Sequence, residues 1–362
     1  MTGLVGSPYG ETIMPSPAAD QRPANIDDVA RLAGVSAPTV SRVLTGAAKV
    51  SADKTRRVEQ AIVALGYRPN ASARALVNGR SRVIAVLAGD TSHYGYAETI
   101  RGVEVSARAS GYLVSITVID STEAESVHAA VDLALQQPVA GVVVLKFDPE
   151  GVAALAAVPA SLATVAISGE IATGVPQAVI DEMTGSYALT AHLLELGHST
   201  VHHVRVPPSG KEDGRTTGWR NALIDAGVPV PEITDSSWEP LSGRAVGREL
   251  AADPTVTAVF CGNDEIAMGV IRGLADEGLR VPDDVSVAGF DDHPISELFS
   301  PSITTARQDF AGLGSRAFGQ LQQLMAGGET PRLTTDQAVV VLRESVGAPG
   351  AARGARGGAA RG

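Results

Sequence analysis

Apolar and polar positions follow two different rhythms along this 362-residue chain. Residues 25–66 carry apolar side chains at helical spacing and hold no strand candidate, which predicts three short helices. From 82 to 345 the texture changes to short, near-continuous apolar runs separated by amphipathic stretches. The runs RVIAVLA, YLVSITVI, AGVVVL, ATVAIS, TVHHVRV, TAVFCG and VSVAGF read as strands. Residues 97–110, 123–136, 184–196, 242–252, 264–278 and 310–326 read as helices. Strands apolar on both faces and separated by helices indicate parallel sheets covered on both sides. There are too many such units for one doubly wound sheet, so the body is expected to form two α/β lobes. The fold class is thus a small all-α head followed by a larger α/β body.

Both ends break the pattern. Residues 1–24 are rich in Pro, Gly and Ser without periodicity and read as a disordered leader. Residues 346–362 are low in complexity and read as an unstructured tail, with Arg353, Arg356 and Arg361 solvated on it. No apolar run is long enough for a signal peptide or a membrane span. The single cysteine, Cys261, rules out an internal disulfide framework and fits a reducing, cytoplasmic setting.

Charge sharpens the division. The whole chain is −11, but residues 22–82 hold eleven Lys/Arg against four Asp/Glu. That segment is +7 and the rest is −18. A basic module that meets a polyanion, joined to an acidic body with another task, is the expectation.

Within the basic segment, NIDDVARLAGVSAPTVSRVL divides at Gly34. Asn25 can cap the first helix, with Asp27 and Asp28 in its first turn and Ile26, Val29, Ala30 and Ala33 on one face. Glycine tolerates the left-handed turn that must follow. Ser36 caps a second helix, where Pro38 falls in the first turn and costs no intrahelical bond. Its inward stripe is Val40, Val43 and Leu44; Ala37, Pro38, Ser41, Arg42 and Thr45 point out. Ser51 caps a third helix reaching Leu65, with Val58, Ile62 and Leu65 inward. Two helices joined by a short glycine turn match a helix-turn-helix, whose second helix enters a DNA major groove; a generic helical hairpin is the alternative from spacing alone.

The motifs AGVSAPTVSRVL and LGYRPN, within IDDVARLAGVSAPTVSRVLTGAAKVS and VEQAIVALGYRPNASARAL, resemble the head of the LacI/GalR (lactose repressor) family of transcriptional regulators. The resemblance continues through LLELGHSTVHHV, GRTTGWRNAL, AVFCGNDEIAMGVIRGLADEGLRVPDDVSVAGFDD and PSITTARQDF, and covers the chain except its two ends. It implies a helix-turn-helix DNA-binding domain at 25–69, a hinge at 70–81 and an effector-binding, dimerising body at 82–345. That body would be a two-lobed, periplasmic-binding-protein-like fold, with one lobe about 82–180 and 309–330 and the other about 181–308 and 331–345. Ser36, Thr39, Ser41 and Arg42 would sit on phosphates and groove edges, and Ala37 and Pro38 at the two operator-selecting positions. Neither of those two side chains can donate a hydrogen bond, so base choice there would rest on apolar contact, Arg42 or DNA shape. Thr45 stands where the family commonly has Asn, which puts that contact in doubt. Leu76 would be a minor-groove wedge on a hinge that becomes helical on DNA; a plain linker is the other reading.

Ligands of this fold bind at the carboxyl ends of strands. Asp90, Ser168, Asn263 and Asp291 end strand candidates, and Arg215 opens a helix after a long loop. Carboxylates and an amide facing an arginine suit hydroxyl-rich ligands. Trp238, in the polar loop TDSSWEPLSG, occupies the place of a sugar-stacking tryptophan in lactose-repressor-like members. The resemblance adds Tyr94, Tyr96 and Gln308 to this effector set, with Gln308 bridging the lobes. Ser168 departs from the aspartate of some sugar-binding members.

His192, His198, His202 and His203 span a helix, a turn and a strand, and neighbouring strand residues point to opposite faces, so no metal site is expected. No cofactor or catalytic motif is read. The expected function is a DNA-binding regulator, acting as a homodimer on a pseudo-palindromic double-stranded operator and released by a small sugar or sugar derivative. A co-repressor-type regulator of a nucleobase or nucleoside is the alternative, and a sugar-binding transport receptor a remote one.

Overall fold

The computed structural model describes residues 24–46, 50–67, 81–169, 174–208, 210 and 212–350. Residues 1–23 of the leader, 70–80 of the hinge with Leu76, and residues 351–362 lie outside the described residues. The chain divides into two compact units, Met1–Gly79 and Arg80–Gly362.

The smaller unit contains α1 (Ile26–Ala33), α2 (Ala37–Thr45) and α3 (Ala52–Leu65). Asn25 and Asp28 close a reciprocal cap on α1, each side chain accepting the other's backbone N–H at 3.0 Å. Gly34 then takes φ 63°, in the left-handed region, and turns the chain into α2. Val29, Ala30, Ala33, Val40, Val58 and Ala61 form the core between the three helices. Two expectations need correction here. Leu65 is 37% exposed rather than inward, because α3 ends at Gly66 and Tyr67 folds back over the core in its place. Neither Ser36 nor Ser51 makes a side-chain cap. The Ser36 hydroxyl instead lies 2.9 Å from that of Thr39.

The larger unit is built on two parallel sheets. The first lobe contains β1 (Val83–Ala88), α4 (Tyr94–Ala109), β2 (Leu113–Val118), α5 (Ala124–Leu135), β3 (Gly141–Lys146), α6 (Pro149–Ala157), β4 (Thr164–Ser168) and β5 (Gln177–Asp181). The second contains α7 (Glu182–Glu195), β6 (His202–Arg205), α8 (Gly214–Asp225), β7 (Thr234–Asp235), α9 (Pro240–Ala251), β8 (Ala258–Cys261), α10 (Asp264–Asp276), β9 (Ser286–Ala288), α11 (Pro294–Leu298) and β10 (Thr305–Arg307). α12 (Phe310–Met325) and β11 (Leu333–Gln337) return to the first lobe, and β12 (Val339–Val341) pairs antiparallel with β10. The strand orders are β11-β5-β4-β3-β1-β2 and β7-β6-β8-β9.

The chain crosses between lobes after Asp181, after Arg307 and after Gln337. The last crossing lies later than the expected 330, because β11 pairs in register with β5, Leu333 against Gln177 through Gln337 against Asp181. Order also continues beyond the expected limit of 345: Val346 packs on the second lobe, and the Gly347 N–H donates to Ser286 Oγ at 3.0 Å.

Glycines set how closely helices pack. Gly243 and Gly247 on α9 face Gly269 and Gly273 on α10. A Cβ on Gly269 would stand 2.1 Å from the carbonyl oxygen of Pro240, and one on Gly273 2.2 Å from that of Arg244. Gly269→Ala must therefore push two helix backbones apart, and we expect it to destabilise the chain by about 2 kcal/mol or more. Gly319→Ala, where a Cβ meets nothing within 4 Å, is the control and should be neutral or mildly stabilising. Urea denaturation of both variants checks this; equal midpoints would contradict the close approach.

Candidate functional site

On the head, α2 presents Pro38, Arg42 and Thr45 as exposed residues, with Thr39 and Ser41 half-buried. Arg42 has no acidic partner among the described residues, unlike Arg31 beside Asp28 and Arg56 and Arg57 beside Asp53. Ala37 is only half-exposed and leans on the head core, so less of it faces outward than its position suggested. The Thr45 hydroxyl donates back to the Ser41 carbonyl at 2.8 Å, which occupies its proton within the helix.

A cavity of the body opens between the lobes. The first lobe contributes aromatic side chains: His93, Tyr94, Tyr96, Phe147 and Phe310. The second contributes polar and charged ones: Glu182, Asp213, Arg215, Asn263, Glu265 and Asp291, together with Trp238. Each is delivered by an element end. Tyr94 and Tyr96 lie in the first turn of α4, which begins earlier than the apolar spacing from 97 suggested. Asp213 caps α8, accepting the Thr216 N–H at 2.7 Å, and so fixes Arg215 in the first turn. Asn263 caps α10 through the Ile266 N–H at 2.8 Å, and its amide donates to Glu265 at 3.2 Å.

Arg215 is the hub. It donates to Glu182 at 3.0 Å and to the Gly262 carbonyl, lies 3.4 Å from Asp291, and its guanidinium carbon sits 4.8 Å from the Phe290 ring centre. Burial pushes Glu182 up to about 7 against the pull of Arg215, and pushes Asp291 up to about 6 against the same cation. Asp291 has φ 106°, a left-handed conformation that a side chain tolerates only when its surroundings hold it there. Here Gln308 donates to it at 2.6 Å.

The next residue, Asp292, also has positive φ and accepts both Arg307 and Arg343 at 2.6 Å. Those two arginines flank the second and third crossings between lobes, and Glu182 follows the first. Asp292 thus ties together two arginines from β10 and from the segment after β12, one chain position from the cavity residue Asp291.

The structure brings together Tyr94, Tyr96, Arg215, Trp238, Asn263 and Asp291 among the residues expected from sequence. Three others do not line the cavity. Asp90 is turned into its own loop, accepting Ser92 N–H, Ser92 Oγ and His93 N–H. Burial pushes its carboxyl up, but those bonds outweigh burial and hold it below the ordinary value. Ser168 is fully buried at the end of β4, and the adjacent Gly169 lines the cavity instead. A Cβ at 169 would stand 2.6 Å from the Glu182 carboxylate, so the glycine makes room for that acid. Gln308 is buried and donates to Asp291 rather than lining the cavity.

Sequence reasoning missed His93, Phe147, Glu182, Asp213, Glu265 and Phe310. It also missed Asp264, beneath the cavity, which accepts Thr305 Oγ1 at 2.6 Å and the His293 N–H and Ser296 Oγ at 2.7 Å. Among the four histidines weighed as metal ligands, His203 is buried and pushed down to about 4 by its burial. Its ring stacks on Phe260 at 4.8 Å and hydrogen-bonds Thr216, while His198 hydrogen-bonds Thr257.

Glu182 yields a pH prediction. Its folded value of about 7 exceeds its ordinary 4.5, so its contribution to stability is full below 4.5 and is lost as pH rises toward 7. Glu182→Gln removes that dependence. We expect the stability of the variant relative to wild type to rise between pH 4.5 and pH 7.5, by up to about 3 kcal/mol. Urea melts at several pH values check it; a pH-independent difference would contradict the burial.

Comparison with known proteins supplies the last observation. Residues 25–70 match the family described as bacterial regulatory proteins, lacI family, and residues 190–346 match the periplasmic binding protein-like domain. Catabolite control protein A of Priestia megaterium is 32% identical over 88% of this chain and 96% of its own length. The chain belongs to the lacI family. Other lacI-family relatives include the lactose operon repressor of Escherichia coli, 30% identical over 84% of this chain and 86% of its own, and the repressor PurR of Pectobacterium carotovorum, 33% identical over 82% and 89%. Among solved structures, the lac repressor dimer bound to operator and the anti-inducer ONPF superposes with TM-score 0.83 at 28% identity, covering 90% of this chain and 100% of that one. The complex of the transcriptional regulator CelR with cellobiose does so with TM-score 0.64 at 27% identity, covering 89% and 99%. The lacI-family match spans α1 to α3, and the domain match contains Arg215, Trp238, Asn263 and Asp291. No helix among the described residues is long and apolar enough to cross a membrane.

Proposed function

We propose that this chain is a ligand-responsive transcriptional repressor that binds a pseudo-palindromic DNA operator as a homodimer and is released when a small polar effector enters the cavity. One observation carries the reading. A single chain holds a helix-turn-helix whose exposed Arg42 has no acidic partner among the described residues, and a cavity between two lobes with the buried Arg215–Glu182–Asp291 cluster in its wall. On the head, Ser36, Thr39, Ser41 and Arg42 contact phosphates and groove edges, Pro38 and the exposed part of Ala37 meet base edges without hydrogen bonds, and Thr45 contributes little. Leu76 is the wedge of the hinge. In the body, Arg215, Asn263 and Asp291 bind effector hydroxyls, Trp238, Tyr94 and Tyr96 cover its apolar faces, and Gln308 holds Asp291 in place. An effector that binds one arrangement of the lobes more tightly shifts the equilibrium and changes operator affinity by the same coupling free energy. We assign no chemical step to the cavity; the relatives named above are transcriptional regulators.

A second reading has its own support. The aromatic wall formed by Tyr94, Phe147, Phe310 and Trp238 also suits a planar base, and PurR stands among the relatives. A nucleobase would then act as a co-repressor. Fluorescence anisotropy of a bound operator duplex separates the two: a sugar-type ligand should lower affinity, a nucleobase should raise it, and a ligand that binds without changing affinity would overturn both.

A further inference from the structure

The cavity's charges do not balance. Four carboxyl groups line it, Glu182, Asp213, Glu265 and Asp291, against one guanidinium, Arg215. Arg215 is shared between Glu182 and Asp291. Glu265 has no salt-bridge partner within 4.0 Å among the described residues, and its one printed hydrogen bond comes from the Asn263 amide. Burial raises its carboxyl, His93 pulls it down, and Glu239 and Asp90 nearby raise it further.

Aromatic rings line the same cavity. Trp238 meets Tyr96 edge-on, with centroids 6.5 Å apart, and lies 5.7 Å from His93. Tyr96 meets Phe147 edge-on at 5.1 Å. The Tyr96 hydroxyl is committed as a donor to Asp148 and its ring is buried, which leaves the half-buried Trp238 as a ring that a ligand can reach. An aromatic face in the same cavity as a carboxylate that lacks a salt-bridge partner suits a cation. No group of three or more His, Cys, Asp or Glu among the described residues is arranged to hold a metal ion.

Resting on the effector reading above, we propose that the effector carries a positively charged amine on a small polyol, as an amino sugar does, with the amine beside Glu265, the Trp238 ring covering its apolar face and the hydroxyls on Arg215, Asn263 and Asp291. An anionic effector would meet four carboxyl groups. A neutral one could give Glu265 only a hydroxyl hydrogen bond and no opposite charge, whereas an ammonium supplies both.

The test is calorimetric titration of the full-length protein with D-glucosamine, D-galactosamine and D-mannosamine, each against its neutral parent sugar, its N-acetyl form and its 6-phosphate. At least one amino sugar should bind about tenfold or more tightly than its neutral and N-acetyl partners. Glu265→Gln should bring that ratio close to one, with the ligand-free melting temperature reporting that the variant folds. Equal or tighter binding of the neutral, N-acetyl or phosphorylated forms would overturn the proposal, as would no binding by any amino sugar. Loss of operator binding by the unliganded protein would instead overturn the regulator reading.

Discussion

Replacing Arg215 by alanine is expected to destabilise the body by about 3 kcal/mol and to abolish the melting-temperature rise given by any effector. The reason lies in what is left behind. Glu182 and Asp291 are both buried and both lean on this one guanidinium. Without it, each keeps its charge at a desolvation cost or takes up a proton. With values already near 7 and 6, they protonate readily, which keeps the loss at the lower end of the range for a broken buried pair. The Gly262 carbonyl also loses its donor. The penalty should therefore shrink at pH 5.5 relative to pH 8. Arg215→Lys keeps a cation but not the fork that reaches Glu182 and Gly262 together, so it should recover part of the stability and little of the ligand response. Urea denaturation and thermal shift read both effects; unchanged ligand stabilisation in the alanine variant would remove Arg215 from the site.

Asp292→Asn is expected to separate binding from response. Asparagine has the same shape and tolerates positive φ, so the backbone at 291–292 should survive. What is lost is the charge that holds Arg307 and Arg343, each at 2.6 Å, on either side of two crossings between lobes. Effector affinity should change little, while the change in operator affinity on effector binding should shrink about fivefold or more, equivalent to about 1 kcal/mol of coupling. Operator anisotropy titrations with and without effector measure this. Coupling as large as in wild type would mean that the crossings are controlled elsewhere.

The head was almost wholly legible, because a helix of that size has one apolar face and few ways to pack. Asn25, Gly34 and Val40 announced their roles by residue type and spacing alone. In the body, strands buried on both faces were legible as apolar runs. β11 was not, since LTTDQ is a polar edge strand with no apolar signature, and its pairing with β5 moved the third crossing. The cavity divided along the same line. Arg215, Asn263 and Asp291 lie at element ends, where the fold delivers side chains to a cleft. Glu182 and Asp213 lie at element ends as well, but surface acids look the same in sequence as buried ones. Gly169, which leaves room for Glu182, was a signal that could have been read only with the partner in view. Asp90 failed because Ser92 and His93, two and three residues on, capture its carboxylate locally.

The most direct test is selection of the full-length protein against random duplex DNA, followed by binding of the enriched sequence over a range of salt. The account predicts enrichment of two related, inverted half-sites, affinity that falls steeply with salt, and altered sequence preference at one position of each half-site in a Pro38 variant. No enriched sequence, or binding that is tight but indifferent to sequence, would contradict it.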